Sequence, residues 1–386
     1  MINEHKPGVE KAQISPAELQ SRWERLQTIM ANKDLDAILI VGNSAVGPPS
    51  FGSFRYFTSH KVYYGYQAIV ARPGKPVMVC ATSVLHKKAL TLKGFTDIRI
   101  SPDIQGSVSS TLNEQPLRRI GLSLDILPSS WYLMLEEMSV EFVDITEDII
   151  EARNERTEFE LRAARESARI SDAGYKAMLD MARPGVMMSD LHAELDYVMK
   201  MEGAEETFIL MSNGRFSLHD NHLPCIRPFS WPDDRVIKHG DCVAMEITPR
   251  YNGYWTQMVR TFCVGEENPD MAIVHKAQIE TIASTVPLLV PGVTLEDVST
   301  HIRDFSETLG FISILPFCHL AGLDLDEGWH YSAVSGVALK ANMTFVLHPT
   351  LVTKDIDYGI FWGESYLVTG EGGICFTSSG NEFATV

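Results

Sequence analysis

Long apolar runs are missing from this sequence. No segment approaches the roughly 18 uninterrupted apolar residues that a membrane-spanning helix needs, and the opening MINEHKPGVEKAQIS has no basic region leading into an apolar stretch. Neither a membrane anchor nor a leader is expected. Positive charge is also short: 33 Lys and Arg stand against 50 Asp and Glu, a net charge of −17, and the basic residues are scattered. A chain of that balance repels phosphate backbones and anionic lipid, so nucleic acid and membrane surfaces are excluded as expected partners. Cysteine is sparse. The six residues Cys80, Cys225, Cys242, Cys263, Cys318 and Cys375 form no CxxC pair, which excludes a disulfide framework or a zinc knuckle and leaves buried free thiols as the expectation. These absences suit a soluble cytoplasmic protein.

What is present is enough apolar material for two ordinary domains: 386 residues at 45% hydrophobic content. In the first 150 residues SRWERLQTIMANKDL is amphipathic at helical spacing, AILIV and QAIVA are short buried-strand runs, and GKPVMVCA follows a turn. That alternation predicts an α/β domain over residues 1–149. The texture then changes to NERTEFELRAARESARISDAGYKAMLDMA, a charged helical stretch that stops at Arg183-Pro184-Gly185. A second domain is therefore expected over residues 150–386.

The second half carries an internal repeat. A helix runs into RPGVMMSDLHAEL, and 107 residues later another runs into VPGVTLEDVSTHI. Ser189 is the expected cap of the first following helix, with Leu191, Leu195 and Val198 on its apolar face; Thr294 is the expected cap of the second, with Asp297 three residues on. Strand-like runs follow each copy, so the domain reads as a duplicated ααβ unit.

Three segments place polar residues among otherwise buried strands or turns: GDCVAMEITPRYNGYWTQMVRTFCVG, CHLAGLDLDEGWHY, and TFVLHPTLV with GESYLVTG. Buried polar groups need partners or a purpose. Glu246 and Gln257 flank an Asn252-Gly253 turn whose hairpin would bring them together. His319, His348 and Glu364 arrive from the later segments.

That series, from Gly240-Asp241 to the acid before a Val-Thr strand, resembles the metal-ligand series of the pita-bread family. The family includes methionine aminopeptidase, proline dipeptidase, creatinase, ectoine hydrolase and a dimethylsulfoniopropionate lyase. LQTIMANKDLDAILI is similar to the opening of the creatinase/prolidase amino-terminal domain, so the resemblance spans nearly the whole chain. It implies an α+β fold, a pita-bread catalytic domain behind a smaller α/β domain, and a homodimer.

The resemblance also sharpens the departures. Metallopeptidase members use Asp, Asp, His, Glu and Glu, where this chain has Glu246, Gln257, His319, His348 and Glu364. Two cations about 3.5–4 Å apart need bridging carboxylates to offset their repulsion, so a two-metal centre is not expected. Two alternatives stay open. One divalent iron, zinc or manganese ion would take His319, His348 and Glu364, with Glu246 as a fourth ligand. With no metal, Glu246 and Glu364 would face each other across a pocket and favour a guanidinium, amidinium or ammonium group.

His222, in Asn221-His222-Leu223-Pro224, matches the family's histidine acid/base, with His219 as a nearby competitor. Tyr254 and Trp255 are candidate substrate contacts, as are Trp329, Tyr331 and Trp362, and Arg260 or Arg227 would bind a substrate carboxylate. Val259 stands where creatinase has a glutamate, and Asp326-Glu327 replaces a common His-Glu pair. The resulting expectation is a creatinase-like hydrolase that cleaves an amide or amidine C–N bond, with His222 as general acid/base and Glu246 and Glu364 orienting substrate or water. The competing readings are a single-metal lyase or oxidative enzyme, a non-catalytic binding relic, and an Xaa-Pro-type metallopeptidase.

Overall fold

A computed structural model describes residues 14–43, 52–62, 64–74, 76–92, 94–124, 127–214, 234–315, 317–327, 336–355 and 357–386. The chain divides into two compact units, residues 12–154 and residues 155–386. Among the described residues, no helix is long and apolar enough to cross a membrane.

The smaller unit begins with α1 (Pro16–Asn32), which starts where it does because the Ser15 side chain accepts from the Glu18 N–H and Pro16 occupies the first turn. Strands β1 (Ala37–Asn43), β2 (Tyr66–Ala71), β3 (Val77–Cys80), β4 (Asp97–Ile100), β5 (Arg119–Leu122) and β6 (Glu141–Asp144) form one sheet in the order β4-β3-β2-β1-β5-β6. The β1–β2 and β2–β3 pairs are antiparallel, and the outer pairs are parallel. Helices α2 (Gly52–Thr58), α3 (Ser83–Ala89), α4 (Ile104–Leu112), α5 (Ser129–Glu136) and α6 (Thr146–Asn154) complete the unit. Leu39, Val70, Val108, Leu122, Trp131 and Leu135 share its core. The architecture is the expected α/β one, but the unit ends at Asn154, because α6 runs on through the boundary expected at residue 149.

In the larger unit, α7 (Glu158–Met181) and α8 (Met188–Met201) precede β7 (Glu206–Gly214), β8 (Cys242–Tyr251), β9 (Tyr254–Trp255) and β10 (Met258–Cys263). Helices α9 (Pro269–Thr285) and α10 (Leu295–Thr308) then precede β11 (Ile312–Ile314), β12 (Cys318–Leu320), β13 (Thr344–Leu347), β14 (Thr350–Val352), β15 (Gly359–Phe361), β16 (Gly363–Thr369) and β17 (Gly372–Cys375). The main sheet has the order β12-β13-β16-β10-β8-β7, and β11-β14-β15 form a smaller sheet.

The duplication is visible in the backbone. Gly185 and Gly292 sit at the same place in the two copies with φ of 93° and 94°, and Gly203 and Gly310 both end the second helix with positive φ. The residue two beyond each PGV glycine also makes an isolated antiparallel bridge, Met187 to Val236 and Thr294 to Ala338. Thr294 caps α10 in a full capping box with Asp297. The expected Ser189 cap is corrected: Met187 is the N-cap of α8 and gives no side-chain bond, so Ser189 lies within the first turn. Of the described cysteines, Cys375 departs from the buried expectation and is exposed near the end of the terminal hairpin.

Two buried histidines couple stability to pH. His60 bonds Gln67 at 3.0 Å in the smaller unit. His275 packs against Trp362 and Phe383 in the larger one. Burial pushes both imidazoles down to about 4.

The unfolded chain takes up these protons from about pH 6.5 downward while the folded chain resists until about pH 4, so stability is full above 6.5 and falls across that window. Urea titrations between pH 7 and 4 should show this loss, and His275→Gln should flatten the part belonging to the larger unit. Gly185→Ala and Gly292→Ala meet no atom within 4 Å, so each should cost only the left-handed backbone penalty, about 1–2 kcal/mol and similar at both positions, by chemical denaturation.

Candidate functional site

The site is decided by the alternation of side chains across the main sheet. Glu246 on β8 lies opposite Leu210 on one side and Val259 on the other, and Val259 lies opposite Gly363. The next row is Ile247, Met258, Glu364, Leu347 and Cys318. Paired residues share a face and successive residues alternate. Glu246, Val259, Gly363, Ser365, Val346 and His319 therefore belong to one face, and Met245, Arg260, Met258 and Glu364 to the other.

The second face is the one covered by helices. Arg260 lies over Trp362 at 4.5 Å and Tyr175 of α7 at 5.7 Å, and His275 of α9 packs on Trp362. There the guanidinium of Arg260, fully buried, donates to Glu364 Oε2 at 3.0 Å, and Thr377 donates to the same oxygen. A buried pair of this kind, with hydrogen bonds on both partners, holds a charge that would otherwise be uncompensated.

The first face holds the remaining candidates. The β8–β9 hairpin turns at Asn252 and Gly253, both with positive φ, as the favoured two-residue hairpin turn requires. The chain returns with Gln257 on the same face as Glu246. Ser365 locks Gln257 in place by accepting from its backbone N–H at 2.8 Å and donating to its carbonyl at 3.3 Å. The Gln257 side chain meets His319 Nε2 at 3.0 Å, and His319 Nδ1 lies 3.0 Å from the Leu320 carbonyl. A carbonyl only accepts, so Nδ1 carries a proton. A carboxamide can serve either ring state at Nε2: its oxygen accepts from an imidazolium, and its NH2 donates to a neutral ring. His348 completes the group, its ring 5.0 Å from that of His319 and 5.2 Å from Phe361.

The expectation that Glu246 and Glu364 face each other is corrected by this register: Glu364 points to the helical face, where Arg260 holds it. The pocket-facing position beside it is Gly363. A Cβ there would lie 2.1 Å from the Leu347 carbonyl oxygen and 2.4 Å from His348 Cα, so the backbone bearing His348 crosses Gly363 too closely for any side chain.

The substrate-contact candidates have internal partners. Tyr254 donates to Glu160 Oε1 at 2.5 Å, Trp255 stacks under Arg250 at 4.9 Å, and Arg260 is the Glu364 partner. Glu327 pairs with Arg156. His219, His222, Arg227, Trp329 and Tyr331 lie outside the described residues. Sequence reasoning missed Gly363 and Ser365. A glycine inside a strand pattern signals close backbone approach and was the available clue.

The donors do not fit a metal centre. Glu246 is the one carboxylate among the matching positions on the pocket face, Gln257 and His319 are bonded to each other, and Glu364 cannot join His319 and His348. Among the described residues, no group of three or more His, Cys, Asp or Glu is arranged to hold a metal ion.

Comparison with known proteins gives two family models. The description "Metallopeptidase family M24" matches residues 162–370, and "Creatinase/Prolidase N-terminal domain" matches residues 22–154. An uncharacterized peptidase, YqhT, of Bacillus subtilis is 23% identical over 369 residues, covering 94% of this chain and 97% of that protein. An Xaa-Pro dipeptidase of Pyrococcus furiosus is 24% identical over 247 residues, 63% of this chain and 68% of that one. Among solved structures, an Xaa-Pro dipeptidase from Bacillus anthracis superposes with a TM-score of 0.82 at 22% identity, covering 95% of this chain and all of that one. The prolidase from Pyrococcus horikoshii has a TM-score of 0.82 at 18% identity, covering 94% and 99%. At these identities the structural likeness establishes the pita-bread fold.

Two substitutions separate the faces. Gly363→Ala should destabilise by about 3 kcal/mol, the upper end of overpacking costs, because the clash is with backbone. Glu364→Gln should cost about 3–5 kcal/mol by leaving Arg260 unpaired in the interior, although it lies off the pocket face. Urea denaturation monitored by circular dichroism measures both.

Proposed function

From the premise that this chain belongs to metallopeptidase family M24 and carries the creatinase/prolidase N-terminal domain, we propose that it is a hydrolase cleaving a C–N bond of a small polar metabolite without a metal pair. The family is hydrolytic, and the reading departs from its metallopeptidases on one observation. At the pocket face four of the five matching positions present one carboxylate, one carboxamide and two imidazoles, and in place of the fifth, Glu364, that face has Gly363, which admits no side chain. That set lacks the negative charge to hold two cations together.

One carboxylate among the matching positions, beside imidazoles, suits a different use. Glu246 attracts an ammonium or amidinium group and orients it along the sheet. The imidazole of His348 is suited to polarising a carbonyl or amidine group through N–H donation, the stabilisation that matters most as charge develops there, and His319, engaged by Gln257 and the Leu320 carbonyl, packs beside it. Gln257 holds the His319 ring without imposing a charge. Attack by water on that carbon leaves the departing nitrogen in need of a proton, and His222 is assigned that transfer on the strength of its sequence context. The same reading takes the protein as a cytoplasmic homodimer. Glu364, held by Arg260 on the other face, has no part in the chemistry, and neither does a single-metal set that includes it.

The test is turnover of a panel of small cationic amides and amidines, with elemental mass spectrometry on the same protein before and after dialysis against a chelator. Activity should survive chelation, His222→Ala should lower kcat by about 10²–10⁴-fold with the fold intact, and Glu246→Gln should raise KM for cationic substrates. Stoichiometric metal whose removal abolishes turnover would overturn the reading.

A further inference from the structure

Cys242 opens β8 and Cys263 closes β10, directly opposite each other in the register. Their position in the hydrogen-bond ladder follows from where the backbone of Cys263 is engaged. Its N–H donates to the Ala384 carbonyl at 2.9 Å and its carbonyl accepts from the Val386 N–H at 3.0 Å, so both groups point away from β8 toward the carboxy-terminal residues. The next position is the one that bonds across, with Val264 N–H donating to Asp241 O at 2.8 Å and Gly240 N–H to Val264 O at 2.8 Å. Cys242 and Cys263 therefore form a non-hydrogen-bonded pair.

In that class of pair the Cα atoms approach to about 4.5 Å, inside the range of about 4.4–6.8 Å that a disulfide spans. The sulfur atoms already lie 3.1 Å apart, against a covalent S–S distance of about 2.05 Å. Both side chains are fully buried, so the geometry is held by packing.

We propose that Cys242 and Cys263 are a reversible oxidation site, closing into a cross-strand disulfide when a water-sized hydroperoxide reaches them. The Cys263 thiolate attacks one peroxide oxygen, and the departing hydroxide takes up the thiol proton as water, leaving a sulfenic acid. The Cys242 sulfur then attacks the sulfenic sulfur, the S–O bond breaks, and the hydroxyl leaves with the Cys242 proton as a second water. Two thiols lose two electrons and hydrogen peroxide gains them.

The order of attack follows the environment. Hydrogen bonding from Cys242 pulls the Cys263 thiol below its ordinary value, more than burial raises it. The other buried thiols move the opposite way: burial pushes Cys318 up to about 12 and raises Cys80. The pair sits on the pocket face of the two strands that carry Glu246 and lead from Gln257, so closure would pin β8 to β10 beside the candidate site. This inference is independent of the reaction proposed for that site.

The experiment uses the full chain, reduced and then freed of reductant, and exposed to hydrogen peroxide. Remaining thiols are alkylated in denaturant, and the protein is digested without reduction. A peptide joining Cys242 to Cys263, lighter by two hydrogen atoms than the sum of its parts and split by dithiothreitol, is the expected product. In Cys242→Ala, checked for its fold by circular dichroism, dimedone should label Cys263. Full alkylation of both cysteines in peroxide-treated wild-type protein, or disulfides formed only with other cysteines, would overturn the proposal.

Discussion

The close approach of the backbone at Leu347 and His348 to Gly363 of the neighbouring strand β16 is the constraint on which the site depends. Because a Cβ at residue 363 would strike the Leu347 carbonyl and the His348 backbone, the two strands approach as only glycine allows. That approach helps bring His348 beside His319 on the pocket face. It also denies that position to any ligand-bearing side chain, whatever the residue beside it is. Position 364 carries the carboxylate instead, and alternation turns it to the helical face.

The buried Arg260–Glu364 pair holds the same register from the other side. A slip of one residue in β16 would drive Glu364 into the pocket and strand Arg260 among Trp362, Tyr175 and the apolar residues of β8 and β10. The two features act together: glycine permits the approach on one face, and the ion pair penalises every other register on the opposite face. A framework resembling that of a metal enzyme is kept while its metal-facing positions are rebuilt around the Gln257–His319 contact.

This rebuilding changes which chemistry the pocket suits. Where the family's metallopeptidases have carboxylates, this chain has a carboxamide that bonds imidazole in either protonation state, and one carboxylate, Glu246, is left among the matching positions on that face. On the function proposed above, such a pocket takes a cationic organic group in place of a pair of metal ions. The cysteine pair at the outer end of the same strands is a separate feature, placed by the same ladder.

The sequence by itself determined the two-domain α/β and duplicated ααβ plan. Hydrophobic period, PGV turns and capping residues are local signals, and the Thr294–Asp297 box and matched Gly185 and Gly292 formed as read. It also located the Asn252-Gly253 hairpin and brought Gln257 to the face of Glu246, because two positive-φ residues in a short turn leave little freedom in register. The Ser189 cap was misplaced because the backbone bridge at Met187 fixes the helix start two residues earlier, at an N-cap that makes no side-chain bond. Only the tertiary structure decided which carboxylate enters the pocket. Glu364 and Gly363 are adjacent in sequence, and the face each one takes depends on pairing with β10 and β13, strands more than a dozen residues away, and on where Arg260 needs its partner.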